Sequence, residues 1–279
     1  MSYNVHVSRF RKVTISTMQL TQQQLSYFET FGFLKIPGLF ADDINLIRNA
    51  FEENWANIVS RDSGKTHDHK QRSVFQPFVD QSEYLSCLID DPRIDGIASS
   101  LFGDDYNFLA GSDGNYYVGD TGWHSDRCDE GFGPNRCQER KHPTVKMGFY
   151  LDPLTRDTGC LRVIPGSHKP GDRFAESVHK GVMDPAEELW GIDGSEVPAV
   201  ALEVEPGDLL MFDMCLKHAS FGGNTQRRMF AIGFEKRWEE TDLDVLRPKA
   251  GSYGEKMLST ANPARMRHLE QRLSCSQDS

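Results

Sequence analysis

Three side chains, far apart along the chain, are of types that together hold a metal ion. His124 and Asp126 stand one residue apart in Gly119-Asp120-Thr121-Gly122-Trp123-His124-Ser125-Asp126, just after Asn107 to Val118, a run that reads as a strand. Side chains i and i+2 on a strand share a face, so this imidazole and this carboxylate can converge on one ion. His218 comes much later, in Phe212-Asp213-Met214-Cys215-Leu216-Lys217-His218-Ala219-Ser220. Two histidines and one carboxylate on one side of an ion leave the opposite positions open, as in non-haem Fe(II) oxygenases. A His-x-Asp pair alone is weak: with nine histidines in the chain, about one such pair arises by chance. His268-Leu269-Glu270 illustrates this. It falls in a stretch patterned as a surface helix, where i and i+2 diverge, and reads as surface. His67-Asp68-His69, between Arg61 and Arg72, reads as a solvated polar loop.

What accompanies His124 and Asp126 carries more weight. His218 follows Glu205-Pro206-Gly207-Asp208-Leu209-Leu210-Met211-Phe212, a turn leading into a buried strand, which places it at that strand's end. Arg227 and Arg228 open another strand. Neighbouring strand residues face opposite ways, so only one of them can offer its guanidinium to a carboxylate near the metal. Between pair and distal histidine lies Thr158-Gly159-Cys160-Leu161-Arg162-Val163-Ile164-Pro165-Gly166-Ser167-His168.

In this combination and order, the chain from Leu20 to Arg237 resembles the phytanoyl-CoA dioxygenase family. Gly32-Phe33-Leu34-Lys35-Ile36-Pro37-Gly38-Leu39-Phe40 is similar to that family's opening. The resemblance implies a mainly β fold with flanking helices around a double-stranded β-helix (jelly-roll, cupin-like) core. It implies Fe(II), 2-oxoglutarate as co-substrate and O2. His124, Asp126 and His218 match the iron ligands and so the catalytic centre. Arg227 matches the arginine that clamps the distal carboxylate of 2-oxoglutarate, and is preferred to Arg228 for its distance from Phe234. Ser220 matches a helper of that clamp, Asn115 resembles a co-substrate contact, and Tyr117 shares its strand parity. His168 is expected to be structural. Asp126 occupies the place that related halogenases leave free, which argues against halogenation.

The elements that must position these residues follow from patterning. Thr21 caps a helix through Thr30 that Gly32 ends, and Phe33–Ile36 reads as a strand. From Asp42 or Asp43, apolar Ile44, Ile47, Phe51, Trp55 and Ile58 recur at helical spacing, with an acidic first turn that suits the helix dipole. Short helices are expected at Ser82–Ile89 and Pro92–Phe102. Strands are expected at 107–118, 145–151, 160–164, 200–204, 209–212 and 229–234, and a surface helix near 263–273. Two long insertions, 127–143 and 170–198, are of a length that is usually functional or disordered.

Residues 1–17 read as an extension or disordered arm, and 18–279 as a single domain: helical part 20–103, jelly-roll core 104–238, tail 239–279. The formal charge of -10 and pI near 5.4 disfavour nucleic acid and anionic membranes as partners. No apolar run approaches the roughly 20 residues needed to cross a bilayer, and the first 17 residues lack the apolar stretch of a secretory signal. The six cysteines are spread without a CxxC pair and read as reduced thiols, so a cytoplasmic location is expected.

The sequence favours hydroxylation of a C–H bond in a small-molecule metabolite: a free acid, a phosphonate or a natural-product intermediate. Oxidative cyclisation, desaturation or epimerisation at the same site stays open, as does a non-catalytic jelly-roll or a zinc hydrolase. Arg127, Lys146 and Trp190 are candidate substrate contacts. Each has a plain alternative: a solvated loop, a solvent-facing strand residue and a packing aromatic. Whether the chain is a monomer or a homodimer stays undetermined.

Overall fold

The computed structural model of the chain describes residues 17–63, 67–127, 144–169, 172–175, 188–189, 191–223, 227–246 and 251–277. Two antiparallel sheets pack face to face. The larger runs β1 (Phe33–Ile36), β11 (Leu209–Asp213), β6 (Thr144–Tyr150), β13 (Arg227–Lys236), β4 (Asp113–Tyr117) and β2 (Ser73–Phe75), with β3 (Tyr106–Phe108) also paired to β13. The smaller runs β10 (Val200–Leu202), β7 (Leu161–Val163), β12 (His218–Ser220) and β5 (Thr121–His124), and β8 (Glu188–Leu189) pairs β9 (Ile192–Asp193) separately. This is the mainly β, jelly-roll arrangement that the sequence implied.

Strand alternation divides the interior in two. On β11, Leu209 and Met211 join an outer core while Leu210 and Phe212 join an inner one. On β13, Phe230, Ile232 and Phe234 face the outer core, and Met229 and Ala231 the inner. The outer core lies against α1 (Gln22–Phe31), α2 (Ile44–Ile58) and α4 (Pro92–Phe102), which contribute Phe28, Ile47, Phe51, Trp55, Ile94 and Ile97. Full burial of such side chains contributes about 1.5–3 kcal/mol each. The inner core fills the space between the sheets, and the polar residues of the same parity on β4, β6 and β13 open into that space.

Helix signals were largely legible. Thr21 closes a capping box on α1 and Gly32 ends it at φ 84°, as expected; the single turn α3 (Glu83–Ser86) is capped by Ser82. The acidic start of α2 works differently. Asp43 makes no side-chain cap bond; its carboxylate pairs with Arg93 at 2.7 Å.

Four expectations are corrected. The run 107–118 is two strands, β3 and β4, interrupted where Gly111 takes φ 85°. His218 does not end the strand before it; a turn after Asp213 carries the chain into the other sheet, where β12 begins at His218. The 263–273 tail is no surface helix. It forms Pro263–Arg267 and Glu270–Gln277, and between them His268 is 0% exposed, stacked on Tyr106 at 4.1 Å and 3.3 Å from Asp95. Finally, Cys87 and Cys160 are free thiols, but Cys215 is disulfide-bonded.

Candidate metal centre

β5 and β12 are neighbours in the smaller sheet, and their register sets His124 directly opposite His218. The ring centroids are 4.2 Å apart, and Phe212 packs against the His218 ring at 4.9 Å. Each ring is fixed by a carbonyl two residues earlier: His124 Nδ1 to Gly122 and His218 Nδ1 to Leu216, both at 2.8 Å. A carbonyl only accepts, so Nδ1 carries the proton in each ring and Nε2 keeps its lone pair. That tautomer is the one a metal needs from a histidine bound through Nε2.

Asp126 lies in the bend just past β5, so its approach owes more to that bend than to strand alternation. Its Oδ1 is 4.0 Å from His218 Nε2, and one donor atom from each of the three residues lies within 4.8 Å of the others. Among the described residues no other His, Cys, Asp or Glu cluster has this spacing.

The electrostatics suit a cation. Burial alone would raise the Asp126 pKa, but Lys146, His218 and His124 outweigh it and hold the carboxyl below the usual range. Burial, with His124 beside it, pushes His218 down to about 3, so the ring is neutral at physiological pH. Lys146 stands on β6 with Nζ 3.2 Å from Asp126 Oδ2 and 3.5 Å from Asp113 Oδ1. Burial opposes its charge, yet these two carboxylates keep it protonated. Two lone-pair imidazole nitrogens facing an ionised carboxylate fit a divalent ion.

The three residues form one wall of a cavity of about 190 Å³. Across from them are Arg72, Asp113, Tyr117, Lys146, Tyr150 and Arg227, with Leu161, Phe212 and Met229 as the apolar lining. Arg227 has the inward parity on β13 and is only 3% exposed. Its guanidinium donates to the Gly159 and Gly119 carbonyls, the latter at 3.1 Å, and lies 4.9 Å from the Tyr117 ring. Among the described residues it forms no ion pair, and its buried Nε has no hydrogen-bond partner. Gly159 makes this seat possible: at φ 89° it favours glycine, and a Cβ there would stand 2.7 Å from Arg227 Nη1. Arg228 turns the opposite way, to Asp152 at 2.5 Å and Glu52 at 2.7 Å.

Of the other candidates, Ser220 and Tyr117 line the cavity. Asn115 does not line it. Fully buried, it accepts from Arg72 at 3.0 and 2.7 Å and donates to Asp113 at 2.7 Å. Arg127 is also absent from the lining, and Trp190 lies outside the described residues. His168 is structural, its ring packed over Gly32 and within 3.2 Å of the Glu29 carbonyl. Sequence reasoning missed Arg72, Asp113 and the role of Gly159. Asp113 has the inward parity of Asn115 and Tyr117 and could have been found from it; Arg72 follows a polar loop with no periodicity to mark it.

The phytanoyl-CoA dioxygenase (PhyH) family model matches residues 28–230. The chain belongs to that family. As a PhyH protein it is a 2-oxoglutarate-dependent non-haem iron oxygenase that uses Fe(II), 2-oxoglutarate and O2. No curated protein matches it by sequence. Among solved structures, it is similar to HygX from Streptomyces hygroscopicus with nickel and 2-oxoglutarate bound. The two share 21% identity over 79% of this chain and 89% of that one, with a TM-score of 0.59. EctD from S. alaskensis with bound Fe is 24% identical over 78% and 76%, TM-score 0.54. The carbocyclase SnoK from nogalamycin biosynthesis is 19% identical over 84% and 92%, TM-score 0.53. These likenesses show that the PhyH chain shares their fold.

Proposed function

We propose that His124, Asp126 and His218 hold the Fe(II), that Arg227 binds the distal carboxylate of 2-oxoglutarate, and that the enzyme hydroxylates a C–H bond of a small metabolite. Residues 18–279 are taken as one catalytic domain. The observation that carries this reading is Arg227. A buried cation served only by carbonyls and a ring face is costly until an anion pairs with it. It faces the same cavity as two imidazole lone pairs and a carboxylate. One dicarboxylate that reaches a metal at one end and an arginine at the other satisfies both. HygX holds nickel and 2-oxoglutarate together, which supports the same use here.

Bound iron would supply dioxygen activation coupled to decarboxylation of 2-oxoglutarate to succinate and CO2. The chain's own residues do the positioning. Gly122 and Leu216 carbonyls aim the two Nε2 atoms. Lys146 holds Asp126 Oδ2, which leaves Oδ1 turned to the His218 side. Ser220 lines the same cavity as Arg227, and Leu161, Phe212 and Met229 give that cavity its apolar lining. At about 190 Å³ the cavity is below the usual range for drug-sized ligands, which favours a small substrate over a coenzyme A thioester.

The test is a metabolite screen for stimulated succinate release by the iron-loaded enzyme under air, with product masses read in parallel. Succinate and a product heavier by one oxygen are expected, and both should vanish in Asp126→Ala. Inertness of the iron-loaded wild type, or full turnover by Asp126→Ala, would overturn the reading; a product short of two hydrogens would replace hydroxylation with ring closure or desaturation.

A further inference from the structure

Among the described residues that line the cavity, one cation is left without an anion by the proposed chemistry. Lys146 is served by Asp126 and Asp113. Arg227, on the reading above, takes 2-oxoglutarate. Arg72 remains. It reaches the lining from just before β2, and no carboxylate pairs with it among the described residues.

Arg72 is exposed at the cavity mouth, yet its head is fixed. Nε and Nη2 both donate to Asn115 Oδ1, at 3.0 and 2.7 Å, and the guanidinium carbon lies 4.2 Å from the Tyr117 ring centroid. Asn115 is itself held by its bond to Asp113, which faces Lys146. A chain of polar contacts therefore runs Arg72, Asn115, Asp113, Lys146, Asp126, from the mouth to the metal site. A merely solvated arginine keeps its rotamer freedom, whereas this one has given it up. Two N–H groups of the guanidinium are used, and the Nη1/Nη2 fork stays open for bidentate recognition.

We propose that Arg72 binds an oxyanion of the substrate, a carboxylate, phosphate or phosphonate. The inference rests on Arg227 being committed to 2-oxoglutarate. It makes the substrate an acid anchored at the mouth, with its reacting carbon directed inward.

The test is calorimetric titration of the anaerobic iron- and 2-oxoglutarate-loaded protein with propionate, inorganic phosphate and methylphosphonate. At least one should bind in a single equivalent to wild type, and which of them binds identifies the anion. Arg72→Gln should weaken that binding by about tenfold or more, and Arg72→Lys, which keeps the charge but not the fork, by less. The 2-oxoglutarate affinity of both variants should stay within about twofold of wild type, since Arg227 is untouched. Failure of all three probes to bind wild type, or equal binding to wild type and to an Arg72→Gln protein of unchanged melting temperature, would overturn the proposal. So would a loss of 2-oxoglutarate affinity in Arg72→Gln, which would assign Arg72 to the co-substrate. Arg227→Gln is titrated with 2-oxoglutarate alongside: unchanged affinity there contradicts the Arg227 assignment, separately from anything Arg72 does.

Discussion

Arg227 and Arg228 are adjacent in sequence and alike in chemistry, and strand geometry gives them opposite work. Arg228 points to the helix side and meets Glu52 and Asp152. Arg227 points between the sheets and meets carbonyls and an aromatic face, with no ion pair among the described residues. Burying a charge without a counter-charge costs free energy, so on the proposed assignment this residue destabilises the protein until 2-oxoglutarate binds. Arg227→Met should therefore raise the 2-oxoglutarate requirement about tenfold or more while leaving the melting temperature of the unliganded protein unchanged or higher. Arg228→Met should do the reverse, lowering the melting temperature and sparing co-substrate affinity. Thermal melts beside co-substrate titrations separate the two, and the opposite pattern would transfer the clamp to Arg228.

At the scale of elements, the site is held by turns that precede short strands. The turn before β7 places Gly159 where its carbonyl and its missing Cβ both serve Arg227. The turn after β7 places Ser167, whose hydroxyl accepts from the Lys217 amide at 2.8 Å, while the Ile164 amide donates to the Lys217 carbonyl at 3.0 Å. His218 follows directly, so this double brace sets where β12 starts. Gly159→Ala would force a non-glycine residue to φ 89° with a methyl 2.7 Å from the guanidinium. Loss of about 1–3 kcal/mol in urea unfolding is expected, together with weaker 2-oxoglutarate binding. A variant with native stability and native co-substrate affinity would show that the seat is not needed.

Across the whole molecule, the legible part was what depends on local pattern. The alternation on β11 and β13, the Thr21 cap and the Gly32 stop, and the parity that turns Arg227 inward all follow from neighbours in sequence. The three metal candidates were found from the motifs that accompany them in order along the chain and the family resemblance those motifs carry, since a His-x-Asp pair alone arises by chance. What stayed hidden depends on tertiary contacts. Short β12 carries no periodicity, and its membership in the second sheet is set by pairing with β5 and β7. His268 looked exposed because its sequence is polar, but Tyr106 and Asp95 supply the stacking and the charge that let it be buried. Arg72 became visible only once folding brought Asn115 and Tyr117 beside it.

His124, Asp126 and His218 are proposed to grip a single ferrous ion. Anaerobic Fe(II) titration of the metal-free protein, followed by calorimetry for wild type and for His218→Ala, tests it directly. One equivalent is expected for wild type, with affinity reduced about tenfold or more in His218→Ala, because one coordinating nitrogen is lost. Wild-type stoichiometry and affinity in His218→Ala would contradict the account.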